Sequence, residues 1–277
     1  MRLVRYQTED GSRIGIIEAD GIAPTPYVDM KALIADGITA SDALREARSS
    51  NERISAERLV APLDPGKILF CGINYPSHLD ENPGAALPEE PFFFSKLPSS
   101  VIGPDESIVL PYPECQVDYE VELGLVIGSE ARQLTPDTAL SVVFGYTVVN
   151  DVSARDVQFR DNQITLGKGF DTFCPIGPNV TTADEIPDPS RLEVSARVNG
   201  EQRQREHTSR MLFDVHTLLT YVTRYVTLQP GDIVSTGTPA GVAAFRPDHP
   251  YLRDGDLVEV EVDRIGVLRN PVRAAWQ

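Results

Sequence analysis

The spacing of the apolar residues most constrains what this chain can fold into: over much of its length they recur at every second position, in short runs. A period of two sends alternate side chains to opposite faces of a strand, and such strands are stable only when one face is buried against another layer. Residues 117–127 alternate in this way. Leu192, Val194, Ala196 and Val198 do so up to Asn199-Gly200, a dipeptide suited to a tight hairpin, and Val258, Val260 and Val262 repeat the pattern near the end. Residues 67–71 are a short apolar run, and 141–149 are nearly continuously apolar. Only one stretch of this later part has three- and four-residue helical steps: Leu212, Val215, Leu218, Leu219 and Val222. The pattern predicts a β-dominated α+β domain with few helices.

The first residues predict a hairpin, LVRYQ and RIGIIE about a turn at Asp10-Gly11. Asp29 is placed to cap a short helix ending before Gly37, and Ser41 to cap a second. The cluster Ala61-Pro62-Leu63-Asp64-Pro65-Gly66 then breaks the pattern. It divides a small N-terminal α/β unit, 1–62, from a main domain, 66–277, and 277 residues suffice for both. Hydrophobic residues make up 41% and charged residues 24%, so the chain can bury a core.

The net charge of −16 would repel nucleic-acid phosphates and anionic lipid headgroups, which argues against both as partners. An anionic substrate would be repelled as well, unless a bound cation and local Arg or Lys reverse the potential inside a site. Cys71, Cys115 and Cys174 form an odd, scattered set that reads as reduced thiols, without a disulfide framework or zinc spacing. No uninterrupted apolar run approaches membrane-spanning length. The expectation is a soluble, cytoplasmic protein.

Within 117–127, Glu120 and Glu122 fall on one strand face and Tyr119, Val121, Leu123 and Leu125 on the other. Asp151 ends the apolar run VVFGYTVVN, where a third carboxylate could converge. If that face is enclosed, adjacent anions require protons or a cation. Three carboxylates without His or Cys suit a hard ion, Mg²⁺ or Mn²⁺, with Ca²⁺ as a substitute. The rival reading is a solvated strand, because Glu259, Glu261 and Asp263 alternate with Val258, Val260 and Val262 in the same way. Spacing leaves both open. His78 and Glu81, three apart with Pro76 at a helical first turn, would share one helix face, so that Glu81 could orient the imidazole.

The ordered series Gly72-Ile73-Asn74-Tyr75-Pro76-Ser77-His78, Phe94-Ser95-Lys96, Asp118-Tyr119-Glu120-Val121-Glu122-Leu123-Gly124 and Asn150-Asp151-Val152-Ser153-Ala154-Arg155-Asp156 resembles the fumarylacetoacetate hydrolase family. Gly167-Lys168-Gly169-Phe170-Asp171, Leu228-Gln229-Pro230-Gly231-Asp232 and Thr236-Gly237-Thr238-Pro239-Ala240-Gly241 extend the likeness in the same order. The resemblance implies a mixed β-sheet roll or sandwich, a variable small N-terminal unit and assembly as a homodimer. It also implies a Mg²⁺ or Mn²⁺ site at Glu120, Glu122 and Asp151, and leaves residues 258–263 as a solvated face.

By the same resemblance His78 and Glu81 are an acid–base dyad in a lid-like segment, which the Pro/Gly-rich tract 82–91 would carry. Lys168 would neutralise a substrate carboxylate or enolate oxygen. Arg155, Gln158, Thr238 and Tyr75 would bind a small anionic keto acid. The leading expectation is hydrolysis of a carbon–carbon bond in an acylpyruvate or related β-diketo acid. Decarboxylation of an oxaloacetate-like acid, or keto–enol and double-bond isomerisation of a hydroxymuconate-type diacid, would use the same centre. A non-catalytic metal-binding protein would lack the acid–base residues, and all are present.

Overall fold

The protein was analysed as a computed structural model, which describes residues 1–55, 58–82, 86–161 and 163–276. Two sheets dominate. The larger runs Gly21–Pro24, Gly11–Glu18, Arg2–Thr8, Cys174–Thr182, Val143–Asn150, Val121–Ile127, Ile233–Ser235, Ile68–Cys71, Phe93–Ser95. The smaller runs Glu201–His207, Glu193–Val198, Leu257–Val262, Gly266–Ala274, Ile108–Leu110. Most neighbours are antiparallel, but Ile233–Ser235 lies parallel to Ile68–Cys71, so the large sheet is mixed. This is the β-dominated fold with few helices that the alternation predicts, in the sandwich form that the resemblance implies.

The period of two explains the layering. Leu123, Leu125 and Val148 from the large sheet meet Val194, Ala196, Val258, Val260 and Leu268 from the small one in a single apolar core. The opposite face of the large sheet presents Val126, Val149, Ile176, Ile233 and Phe70 to a second core, shared with Leu3, Ile14, Ile16, Met30 and Leu33. Every residue of Val121–Ile127 is therefore buried.

Residues 1–62 contribute to both sheet and core. Arg2–Thr8 and Gly11–Glu18 form the expected hairpin, and Arg2 and Leu3 pair with Thr181 and Val180. Asp29 caps the helix Met30–Asp36 by accepting from Lys31 N–H. Ser41 does not cap the next helix, Ile38–Ser49: it lies inside, and Gly37 at φ +51° takes the N-cap position. A glycine between two helices supplies the left-handed turn that a serine cap would not.

The hairpin at Asn199-Gly200 has both turn residues at positive φ, +54° and +79°, as a type I′ turn requires. The helical periodicity becomes Val215–Tyr225, capped by Asp214 and buried on Val215, Leu218, Leu219 and Val222.

The two acidic strands separate. Glu259 and Glu261 stay partly exposed and pair with Arg269 (3.3 Å) and Arg197 (2.9 Å). Glu120 and Glu122 are 3% and 1% exposed.

Candidate active site

The carboxylate strand is broken at Glu120, just before Val121–Ile127, while Glu122 stays in the sheet opposite Val149. Glu120 N–H bonds to the Asn150 side chain and Val121 N–H to Gln204 Oε1, each at 3.0 Å, so side chains replace ladder partners there. Asp151 N–H donates to Glu120 O at 2.9 Å, which seats the third carboxylate beside the first. Ligand atoms of Glu120, Glu122 and Asp151 lie within 4.8 Å of one another.

Cations surround the triad. Lys168, from the short helix Ile164–Lys168, donates to Glu120 Oε2 (2.9 Å) and to Asp151 Oδ2. Arg155, at the start of Arg155–Asp161, donates to Asp118 (2.9 Å), to Glu120 and to Gln158 (2.9 Å), not to Asp156. Lys96 Nζ is 2.8 Å from Asp151 Oδ1 and donates to the Val152 and Phe173 carbonyls. When all are ionised, the four carboxylates of Asp118, Glu120, Glu122 and Asp151 exceed these three buried cations by one negative charge. A divalent ion would make that one positive.

The residues fit such an ion. The donor set is all oxygen, and its three carboxylates converge in a buried place where acids outnumber bases. Burial raises Glu120, but the Lys168 ammonium and Arg155 guanidinium overcome it and hold the carboxyl well below the usual range. Glu122 goes the other way: burial, then Asp151 and Glu120, push it well above, although Ser235 Oγ (2.5 Å) and Gly237 N–H (2.9 Å) donate to it.

His78 sits in the short helix Pro76–Asp80, whose first turn Pro76 supplies as expected. Its Nδ1 lies 3.1 Å from Glu81 Oε1, and Glu81 Oε2 accepts from Gly241 N–H at 2.7 Å. With Nδ1–H held by the carboxylate, a neutral ring offers Nε2 as a base.

His78, Glu120, Arg155, Gln158, Lys168 and Thr238 line one cleft of about 210 Å³, walled by Phe92, Phe94, Phe159 and Phe245. Glu81, Glu122, Asp151 and Tyr75 do not line it. Thr238 Oγ1 already donates to Val121 O (2.9 Å) and accepts from Gln204, so its proton is committed. Tyr75 is fully buried outside the cleft lining, its hydroxyl without a hydrogen-bond partner and pushed up by burial, then by Glu122. Residues 83–85 of the expected lid lie outside the described residues.

The larger neighbouring groove, about 750 Å³, shares Phe92, Phe94 and Ile164 with the cleft but is lined by no carboxylate, Lys, Arg or His. All three cysteines are free. Cys71 borders the cleft, but burial and Glu122 raise its thiol, and burial pushes Cys174 up to about 12; neither is an activated nucleophile. His207 caps Thr208–Arg210 and His216 faces the Pro136 carbonyl, both away from the cleft.

Sequence reasoning missed Lys96, Asp118 and Gln204 as supports of the site. Lys96 and Asp118 stand inside recognisable motifs, which was the available signal. Gln204 sits in a hairpin strand with none.

Residues 67–273 match the family model for the fumarylacetoacetate (FAA) hydrolase C-terminal domain. The chain is 40% identical to the oxaloacetate tautomerase fahd2, mitochondrial, of Xenopus laevis, over 98% of this chain and 90% of that protein. Among solved structures, a fumarylacetoacetate hydrolase from Exiguobacterium antarcticum superposes with a TM-score of 0.88, at 38% identity and 99% coverage of each chain. A maleylpyruvate hydrolase from Sphingobium sp. SYK-6, in complex with manganese(II) and pyruvate, gives 0.83, at 32% identity and 99% coverage of each.

No described helix is long and apolar enough to cross a membrane. The Xenopus relative is named as mitochondrial, so the cytoplasmic expectation is not carried forward. With the triad, the dyad and these likenesses together, the chain belongs to the fumarylacetoacetate hydrolase family and is an enzyme.

Proposed function

We propose that the protein catalyses enol–keto tautomerisation of an oxaloacetate-like 2-oxo diacid, in place of the acylpyruvate hydrolysis that heads the expectations from sequence. The observation that carries this reading is the cleft: about 210 Å³, walled by four phenyl rings, with His78, Arg155, Lys168 and, of the triad, Glu120 on its lining. That is below the roughly 300 Å³ at which pockets for drug-sized ligands begin, and suits a small diacid. The full-length likeness to a tautomerase supports it.

Glu120, Glu122 and Asp151 would hold Mg²⁺ or Mn²⁺, with Ca²⁺ as a substitute in crystals. When bound, the ion supplies Lewis-acid stabilisation of a developing enolate oxygen. Lys168 and Arg155 balance the substrate's carboxylates, and Gln158 orients them beside Arg155. His78 Nε2 moves the proton at the carbon next to the carbonyl, while Glu81 fixes the imidazole tautomer.

Hydrolysis of a longer acylpyruvate is the second reading. The 750 Å³ groove that joins the cleft at Phe92 and Phe94 has room for an acyl tail. Homodimer assembly is part of the proposal, supported by the exposed Phe92, Leu97, Phe159, Leu166 and Tyr225; sedimentation tests it.

The deciding experiment presents the Mn²⁺- and Mg²⁺-loaded protein with enol-oxaloacetate, acylpyruvates and hydroxymuconate-type diacids. Loss of the enol's ultraviolet absorbance without pyruvate formation supports tautomerisation. Pyruvate from oxaloacetate would point to decarboxylation, and cleavage of acylpyruvates alone would overturn the proposal. Glu120→Ala and Asp151→Ala should abolish activity and metal binding together.

A further inference from the structure

Residues 237–245 connect the two sides of the site along one backbone. Their amides serve carboxylates of three different roles. Gly237 N–H donates to Glu122 at 2.9 Å, Gly241 N–H to Glu81 at 2.7 Å, and Ala243 and Ala244 N–H to the two oxygens of Asp118 at 2.8 and 3.0 Å. The segment thus runs from the triad past the dyad to Asp118. It ends at Phe245, whose ring lies 5.7 Å from that of His78 and 6.4 Å from that of Phe159.

Asp118 is fully buried and does not line the cleft. Besides the two alanine amides it accepts from Tyr119 N–H (2.8 Å) and Arg155 Nε (2.9 Å). Arg155 continues to Glu120 and Gln158. A carboxylate with four donors, one of them charged and two from the start of a one-turn helix, holds its partners in a single arrangement.

We propose that Asp118 is a positioning residue joining the cationic and acid–base halves of the site. On one side it sets Arg155 against Glu120 and Gln158. On the other it anchors the segment that holds Glu81 and seats Phe245 against His78. Its catalytic consequence rests on the site being an enolate-forming centre. A purely structural counter-ion for Arg155 would instead lower stability and leave turnover per folded molecule intact.

Asp118→Asn keeps the shape but turns one acceptor into a donor, so one alanine amide must let go, together with either Arg155 or the Tyr119 amide. Ala243→Pro removes only one amide and leaves the Asp118–Arg155 pair. Val242, at φ −64° and ψ 150°, already has the extended backbone that precedes proline well.

The test measures kcat on enol-oxaloacetate, the Kd for Mn²⁺, and hydrogen exchange across residues 240–246, for both variants and the unaltered enzyme. The expected result is a kcat loss of about 10²-fold in Asp118→Asn and about tenfold in Ala243→Pro. Mn²⁺ affinity should change less than about threefold while exchange in 240–246 accelerates about tenfold or more. Unchanged exchange, unchanged kcat in folded protein, or a loss of Mn²⁺ affinity matching the loss of kcat would overturn the proposal. Should Asp118→Asn fail to fold, Ala243→Pro decides. Exchange and Mn²⁺ results as expected, in an enzyme inactive on every oxo acid, would sustain the positioning role and refute the tautomerase reading.

Discussion

Glu122 and Glu120 are two residues apart on one strand, yet their surroundings drive them in opposite directions. Glu122 is raised above the usual carboxylate value near 4.5 by burial and by Asp151 and Glu120. A raised folded value means that its stabilising contribution is full below the unfolded value and is lost as pH rises through the folded one. Glu120 is lowered, so its contribution is present above the unfolded value and is lost as pH falls through the folded one. Chelator-treated protein should therefore melt at progressively lower temperature as pH rises from about 5 to about 8, because the unfolded chain ionises Glu122 freely while the folded chain resists it. Mg²⁺ or Mn²⁺ favours the ionised form and should remove that decline. Differential scanning fluorimetry with and without metal is the measurement, and an identical pH slope in both would contradict this account of the triad. None of this opposition was legible from residue type. Lys96 stands in a recognisable motif, but its role shows only when the Val152 and Phe173 carbonyls, distant in sequence, are brought around its ammonium.

At the scale of elements, two strands with the same alternation of valine and acid met opposite fates. Residues 258–262 point their glutamates outward from the small sheet, whereas Glu122 lies on a strand covered on both faces and Glu120 is buried at the break just before it. Period two predicts that a strand has two faces but not what covers each, since cover comes from other parts of the chain. The hairpins, the Asp29 cap and the helix at 215–225 were legible because their signals are local. The break at Tyr119–Glu120 was not, because the Asn150 and Gln204 side chains cause it.

The turn at 236–241 was recognisable as a motif, and its glycines explain why. Gly241 has φ +107°, and a Cβ there would lie 2.0 Å from the Arg203 carbonyl oxygen. Gly241→Ala must shift the backbone that donates to Glu81; it should cost about 2–3 kcal/mol and lower kcat through the dyad. Gly200, at φ +79° with open space around it, is the control: Gly200→Ala should cost about 1 kcal/mol and leave kcat alone. Equal kinetic losses in the two variants would show that the turn has no special hold on Glu81.

For the whole molecule, the unresolved tension in the sequence was a net charge of −16 around a site meant for an anion. The structure locates most of the counterweight: Lys96, Arg155 and Lys168 are buried beside the triad, where solvent ions screen them little, and a divalent ion held by the triad would tip the balance to positive. Surface carboxylates, by contrast, act through water and lose their reach beyond about 8 Å at physiological ionic strength. Added salt should therefore weaken the repulsion on approach and leave the attraction inside the cleft nearly untouched. The expected outcome is that kcat/KM for a dianionic oxo acid rises about two- to threefold between roughly 0.01 and 0.15 M monovalent salt, with kcat constant. Metal should be held at saturation throughout, because the same screening weakens the surface's attraction for a free cation. Steady-state kinetics over a salt series measures it. A fall in kcat/KM would mean that the site's own positive field reaches beyond the cleft mouth and steers the substrate in, reversing the assignment of repulsion to the surface and attraction to the interior.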